Sequence, residues 1–349
     1  MSERAIDSPT SSALAGRIGL ERTLTLVARL REVGIVIVLL VVVAIVTVQA
    51  PLFFSISNFE QILLNVSLIA IVAVGQTTVV LTRNVDLSVG SVVGLVAFAT
   101  GDLLKEHTLG VAGAIAVGCL IGLGLGAFNG LLVAVAKVPA IVATLGTLYV
   151  YRGLDFLIAG GKQVSAIDLP RGYLGIASST LLGVPTLILA AALIALGAAY
   201  LLRNSGAGRQ LYAIGSNPTA AEVVGIPTQR LIFGAFVVCG LCAGIAGVLW
   251  GSRFGSVNAL AASGLELQVI AAVVVGGVNI FGGSGTVVGA VLGAILLATI
   301  ENALRILHLS EFWLLAIDGA IILLAVGTDA AIRGYFQRIL MRKIGRAHV

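Results

Sequence analysis

The chain has 349 residues, of which 58% are hydrophobic and 11% are charged, and its mean hydropathy is +1.10. Because so few charges cannot cover the surface of a water-soluble domain, the composition excludes a soluble globular protein and predicts a polytopic helical membrane protein. The net charge of +5 does not indicate nucleic-acid binding, because the arginines cluster in loops and termini, as the positive-inside rule expects.

The two ends of the chain are polar. We expect residues 1–32 to form a cytosolic tail, because the apolar run that follows is long enough to span a membrane and is therefore not a secretory signal. Residues 333–349 are expected to form a second cytosolic tail. The last six residues, 344–349, resemble the translation of a sequencing-adapter tail and carry no weight in the predicted fold.

Ten apolar stretches predict membrane spans, each of which needs about 20 residues. They are residues 33–50, 62–81, 87–104, 111–136, 139–159, 181–202, 231–250, 265–277, 286–300 and 312–332. An even number of spans places both termini on one side, and the loop distribution of Lys and Arg places that side in the cytosol. The predicted fold is an all-α membrane domain over residues 33–332, with about ten helices and broken, glycine-rich segments.

The longest polar interruption, residues 203–230, contains a short helix with both ends marked. Asn217 is a good N-cap, and Pro218 suits the first helical position. Gly225 fits the left-handed residue that follows the last turn, and Pro227 prevents continuation. A helix of about two turns is not stable alone in water. We therefore expect a soluble partner to hold it on the cytosolic side.

A weak internal repeat aligns residues 84–94 with residues 279–289 without gaps. Each segment is expected to join a short descending span to an ascending one. Paired glycine-interrupted segments in two halves of a membrane protein indicate a transport pathway. Chance similarity between glycine-rich helices is the alternative.

Two acidic residues lie near the ends of predicted spans. Asp86 is expected to be a helix N-cap favoured by the helix dipole and paired with Arg83, or else part of an inner gate. Glu266 is expected to cap its span from the outside or to border an outer vestibule. Glu301 also lies near a span end, whereas Asp318 lies about two turns into the last span.

Uncharged polar residues also occur within the predicted spans. Hydrogen bonds between packed helices explain most such residues, but a pathway for hydroxylated solutes would use the same groups, and both interpretations stay open. The residues are Asn65, Gln76, Asn129, Thr144 and Gln268. Cys239 and Cys242 are interpreted as a buried pair of small side chains rather than a metal or redox site.

Four ordered motifs resemble the permease subunits of bacterial carbohydrate ABC importers, a family that includes ribose, xylose, rhamnose and autoinducer-2 permeases. The motifs occupy residues 81–91, 138–147, 208–215 and 264–272, the last continuing to the glycine-rich turn 282–285. The Leu-Thr-Arg-Asn start at residue 81 and Tyr151-Arg152-Gly153 are similar to the rhamnose or autoinducer-2 branch.

This resemblance implies a cytosolic ABC ATPase, an extracytoplasmic sugar-binding protein, and a second permease copy or a homologous permease. ATP and Mg²⁺ would bind to the ATPase, because this chain has no phosphate-cradling Walker loop and is expected to bind no cofactor. The implied ATPase-coupling residues are Gly208, Arg209, Asn217, Pro218, Ala220, Ala221, Glu222 and Gly225. The candidate pathway or gate residues are Asp86, Ser88, Ser91, Asn129, Thr144, Glu266, Gln268, Asn279 and Ser284.

The expected function is import of a sugar or sugar-like solute across the bacterial inner membrane, by a transport subunit that is not an enzyme. One alternative is a branched-chain amino acid ABC permease, which would lack the Asp-Leu-Ser-Val-Gly-Ser loop at residues 86–91. The other is an ion-coupled secondary transporter, which should carry ionisable residues near mid-span. Asp318 is the residue that keeps this second alternative open.

Overall fold

The computed structural model describes residues 32–310, 312–320, 322–324 and 327. Residues 1–31 of the predicted tail 1–32, the predicted tail 333–349, and the end of the last predicted span lie outside the described residues. The larger helices are α1 (Glu32–Gln49), α2 (Ile56–Leu81), α3 (Val89–Lys105), α4 (Val111–Gly130), α5 (Ala140–Ala159), α7 (Thr186–Asn204), α10 (Thr228–Phe254), α11 (Leu265–Val275), α12 (Val287–Ile306) and α13 (Phe312–Leu324). The connecting helices are α6 (Arg171–Ser178), α8 (Gly206–Ser216) and α9 (Pro218–Val223).

The predicted all-helical membrane fold is confirmed. Within the described part of the chain, seven helices are long and apolar enough to cross a membrane: α1, α2, α4 with its π-helical extension to Val135, α5, α7, α10 and α12. A helix also lies at each of the other three predicted spans, but these are shorter. Helix α3 has 17 residues, α11 has 11 residues, and α13 runs over Phe312–Leu324.

The prediction that residue 181 begins a span is wrong. Thr180–Leu181 (β1) and Val184–Pro185 (β2) form a small antiparallel hairpin, so α7 begins only at Thr186. Leu182 and Gly183 at the turn both have positive φ angles, which helices do not contain. The prediction that a short span precedes each repeat segment holds for α11 but is wrong for α2, which has 26 residues.

Helices α2 and α10 form the centre of the molecule. In α2, 89% of the most apolar 18-residue window is buried, against 11% in α1 and 17% in α7. A helix that is apolar on every side is stable only when neighbours surround it or lipid does. Helix α10 packs against α2, α3 and α4, whereas α1 and α7 present most of their apolar surface outward.

Glycines set the spacing between α4 and α10. A Cβ added at Gly126 would lie 2.8 Å from Gly240 Cα, and one at Gly244 would lie 2.8 Å from Gly118 O. Neither position can carry a larger residue unless the helices separate, which is how small residues let membrane helices approach closely. Cys239 and Cys242 are buried, as expected, and pack against Gly75 of α2.

The loops that follow α3, α5 and α10 are joined by hydrogen bonds and an ion pair. Val164 and Val257 form an isolated antiparallel bridge, and Tyr173 of α6 donates a hydrogen bond to Val248 O at 2.7 Å. Lys105 lies 3.1 Å from Asp168, and its hydrogen bond holds the pKa of that carboxyl below its usual value. The α5–α7 connection is therefore fixed to the ends of both α3 and α10.

Candidate translocation pathway and coupling surface

The segment between α2 and α3, residues 82–88, breaks the helical path inside the protein. Val85, Asp86 and Ser88 are buried. Non-helical backbone in a membrane protein needs hydrogen-bond partners supplied by the protein. Gln76 of α2 supplies two of them, because its amide oxygen accepts from Asp86 N–H at 3.1 Å and its amide nitrogen donates to Asp86 O at 3.3 Å.

Side chains from α4 and α5 complete the support of this segment. The Asn129 amide donates to Ser88 Oγ at 2.8 Å, with Asp86 carboxylate oxygens at 3.4 Å. Thr144 Oγ1 donates to Val85 O at 3.2 Å, and Tyr151 donates to Asn129 Oδ1 at 3.2 Å. The structure therefore brings five predicted pathway residues into one buried polar cluster: Asp86, Ser88, Ser91, Asn129 and Thr144.

Two details of the Asp86 prediction are wrong. The N-cap of α3 is Ser88, and Asp86 lies two residues earlier, where its Oδ1 accepts from Ser88 N–H at 2.9 Å. Arg83 does not pair with Asp86. Its guanidinium instead donates to Gly215 O at 2.6 Å and to Ser216 O at 2.8 Å, at the end of α8.

The second glycine-rich segment, residues 276–286, lies against the end of α2. Gly283 N–H donates to Leu81 O at 3.0 Å. Asn279 and Ser284 bond to each other through Asn279 N–H and Ser284 O at 2.9 Å. No hydrogen bond in the described part of the chain joins these two residues to the Asp86 cluster, so the structure does not bring all of the predicted pathway residues together.

Three segments meet at the end of α8, and we call the contact of Leu81, Arg83, Gly215, Ser216 and Gly283 the junction. Gly215 lies so close to Leu81 O and Gly283 N that no Cβ fits there. Next to the junction, Tyr212 of α8 donates to Gly285 O at 2.9 Å. Both broken segments are therefore attached to the same short helix.

The predicted ends of the short helix α9 are confirmed. Asn217 Oδ1 accepts from Ala220 N–H at 3.1 Å, and Pro218 is the first helical residue. Gly225 has a φ of +80°, and the Ile226 N–H donates to Ala221 O at 3.0 Å, which closes the helix end.

The surface of α8 and α9 is partly apolar. Val223 is 82% exposed and Val224 is 73% exposed, whereas Ala221 is buried. Arg209 and Glu222 are exposed as well, and Glu222 accepts a hydrogen bond from Thr228 at 3.3 Å. Gly208 and Arg209 belong to α8, a helix that the sequence did not predict and that Ser205 caps by accepting from Gly208 N–H at 2.9 Å.

An ionic cluster that the sequence did not predict lies in the C-terminal half of α5. Arg152 donates to Ala259 O at 3.0 Å and to Ala261 O at 2.8 Å, and it lies 3.6 Å from Asp155. Asp155 is fully buried. The sequence did contain a signal for this cluster, which is an Arg and an Asp spaced i, i+3 within an apolar stretch. Buried charges in a membrane protein need partners, so this spacing indicates an ion pair.

Glu266 lies near this ionic cluster. The N-cap of α11 is Gly264, so the expectation that Glu266 caps the helix is wrong, and it is the second residue of the first turn. The Glu266 carboxylate packs where a Cβ of Gly90 would be, which places it against α3. Asp318 is 1% exposed, and its carboxylate oxygens have no hydrogen-bond partner among the described residues.

A membrane domain with two broken segments attached to one capped, partly apolar helix pair is the architecture expected of a transport permease. The family model that matches is described as the permease component of a branched-chain amino acid transport system, and it covers residues 58–326. The chain belongs to this family. It is the permease component of an ABC import system, a transport subunit without catalytic chemistry, as the resemblance predicted.

The chain is similar to permeases with assigned transport systems. It is 36% identical over 308 residues to the autoinducer 2 import system permease protein LsrC of Yersinia pseudotuberculosis serotype O:1b (strain IP 31758), covering 88% of this chain and 87% of that one. The LsrC protein of Yersinia pestis (strain Pestoides F) matches to the same identity and coverage. No solved structure matches.

Proposed function

We propose that this chain imports a sugar-like solute across the bacterial inner membrane. The observation that carries the proposal is its similarity over 88% of its length to permeases of autoinducer 2 import systems. The Asp-Leu-Ser-Val-Gly-Ser loop at residues 86–91 adds support, because uncharged polar side chains hold it: Gln76 bonds to the Asp86 backbone, Asn129 to the Ser88 hydroxyl, and Thr144 to the carbonyl of Val85 just before the loop. A neutral, hydroxylated solute needs uncharged polar partners of this kind.

The proposed topology has ten helices and both termini in the cytosol. Helices α3, α11 and α13 would then be short crossings, packed among longer helices so that protein rather than lipid surrounds their ends. The positive-inside distribution of Lys and Arg supports this orientation. The same orientation places α8 and α9 in the cytosol.

The proposed partners are a cytosolic ATPase, an extracytoplasmic binding protein, and a second permease that is a copy of this chain or a homologue. ATP binding would press the ATPase against the exposed surface of α8 and α9. The junction would pass that movement to both broken segments at once, because α8 contacts each of them directly. The permease halves would then switch between inward-open and outward-open states as rigid bodies.

A branched-chain amino acid is the second candidate solute, because the matching family model carries that description. A competition assay separates the two. In cells that express this chain with its ATPase and binding protein, labelled autoinducer 2 should accumulate despite a hundredfold excess of leucine. Accumulation of labelled leucine that autoinducer 2 does not reduce would contradict the sugar-like assignment.

A further inference from the structure

A polar cavity lies between α2, α10, α11 and α12, away from the Asp86 cluster. Its volume is about 120 Å³. The polar, charged and aromatic residues of its lining are Asn65, Trp250, Phe254, Gln268, Glu301 and Arg305. Asn65 is the tenth residue of α2, so the cavity reaches about 14 Å along that helix from its first residue.

Two amides in the lining are available to a ligand. The side chains of Asn65 and Gln268 make no hydrogen bond to any described residue, although both are partly buried. Each amide can donate two hydrogen bonds and accept two. Polar side chains within membrane spans normally bond to neighbouring helices, so two amides without such a bond, on α2 and α11 in the lining of one cavity, are free to bond to a hydroxylated ligand.

An aromatic wall lies beside these amides. The Trp250 and Phe254 rings are 4.7 Å apart between centroids, with their planes inclined at 49°. An aromatic pair offers an apolar face, and the Trp indole N–H adds one donor. A sugar-like ring has the matching chemistry, because it carries C–H groups on its faces and hydroxyls around its edge.

The charged pair in the lining favours a neutral ligand. Glu301 and Arg305 are one turn apart on α12 and pair with each other. Because the two charges balance each other, they add no net charge to the lining, which suits a neutral ligand.

A second cavity lies next to the first. It has a volume of about 480 Å³, shares Trp250 and Phe254 with the first cavity and is lined further by the loop residues Ser256, Asn258 and Ser263. The two aromatic rings therefore border both cavities.

We propose that the cavity bounded by Asn65, Trp250 and Gln268 is a binding site for one neutral, sugar-like molecule within a single permease chain. The proposal rests on the proposed function and adds a site to it. Its aromatic rings stack on the solute ring, and its two amides bond to the hydroxyls. The binding site is complete within one chain and requires neither the ATPase nor the second permease.

The chain has two tryptophans, which makes the test direct. Replacing the exposed Trp313 by Phe leaves Trp250 as the only tryptophan. The purified permease in nanodiscs, without ATPase, is titrated with autoinducer 2, L-rhamnose or leucine while tryptophan emission is recorded.

We expect saturable quenching by at least one of the two sugar-like probes and none by leucine. Gln268→Ala and Asn65→Ala, on different helices, should each raise the Kd about tenfold. Gln229→Ala, at the exposed beginning of α10, should leave it unchanged.

Quenching that does not saturate, or a Kd that both cavity variants leave unchanged in correctly eluting protein, would overturn the proposal. Saturable quenching by leucine alone would overturn the ligand class. A different result would contradict the proposed function, namely the absence of sugar-like uptake in the cell assay. If wild type, Gln268→Ala and Asn65→Ala all take up the solute normally and with equal KM values, the cavity is not a binding site for the solute. The proposed function would then still stand.

Discussion

Replacing Gly215 by Ala tests whether α8 transmits movement to the broken segments. A Cβ at this position would occupy the space of Leu81 O and Gly283 N, which bond to each other at 3.0 Å. The methyl group must push α8 away from them and disturb the hydrogen bond from Arg83 to Gly215 O at 2.6 Å. Gly206, the first residue of the same helix, has nothing within 4 Å of an added Cβ and is the matched control.

The cost of Gly215→Ala follows from these contacts. Overpacking costs about 1–3 kcal/mol, and loss of one buried backbone hydrogen bond costs about 0.5–1.5 kcal/mol. We expect the free energy of unfolding to fall by about 2–4 kcal/mol, which leaves most proteins folded. Gly206→Ala should change it by less than about 0.5 kcal/mol.

The assay measures thermal unfolding in detergent and, in proteoliposomes with ATPase and binding protein, the solute transported per ATP hydrolysed. Gly215→Ala should unfold at a lower temperature and transport less solute per ATP than Gly206→Ala. Equal unfolding temperatures and equal transport ratios for the two variants would refute the junction as the connection between α8 and the broken segments.

Two further predictions concern the cytosolic surface and the topology. Gly225→Val forces a β-branched residue to a φ of +80°, so it should weaken ATPase attachment while the permease remains in the membrane, and co-purification of the ATPase measures this. In a cysteine-free background, Ser256→Cys should react with an impermeant maleimide in intact cells and Thr219→Cys should not. Labelling of Thr219→Cys from outside would reverse the proposed orientation.

Local signals in the sequence predicted the short helix α9 well. Asn217, Pro218 and Gly225 set the helix ends through backbone groups only a few residues away. Their roles therefore do not depend on the rest of the fold. Helix α8 was missed because Gly206 and Gly208 lower the helix propensity of its first turn. Gly208 is instead required by close packing, since a Cβ there would meet the backbone of Leu202.

Contacts between distant segments were beyond prediction from the sequence. Arg83 was expected to pair with a carboxylate three residues away, but its partners are carbonyl groups more than 130 residues later in the chain. Polar residues such as Asn129 and Thr144 were recognised as candidates. Their convergence on Val85 and Ser88 depends on how α4 and α5 pack around the broken segment, which hydropathy does not specify.

The buried Arg152–Asp155 pair was hidden for a related reason. Its stretch remains apolar on average, because α5 keeps a mean hydropathy of 1.4 in its best window despite both charges. The hairpin at residues 180–185 was mistaken for the beginning of a span because Leu181, Leu182 and Val184 are apolar. Hydropathy does not distinguish an apolar turn from the first turn of a helix.

Reconstitution in proteoliposomes tests the central claim, that this chain works as a permease driven by a separate ATPase. We predict that the chain alone accumulates no sugar-like solute under any imposed proton or sodium gradient. Adding the cognate ATPase, the loaded binding protein and hydrolysable ATP should start uptake, which Asp318→Asn should not abolish. Gradient-driven accumulation by the chain alone, lost on Asp318→Asn, would contradict the account, because the buried Asp318 carboxylate would then carry the coupling ion.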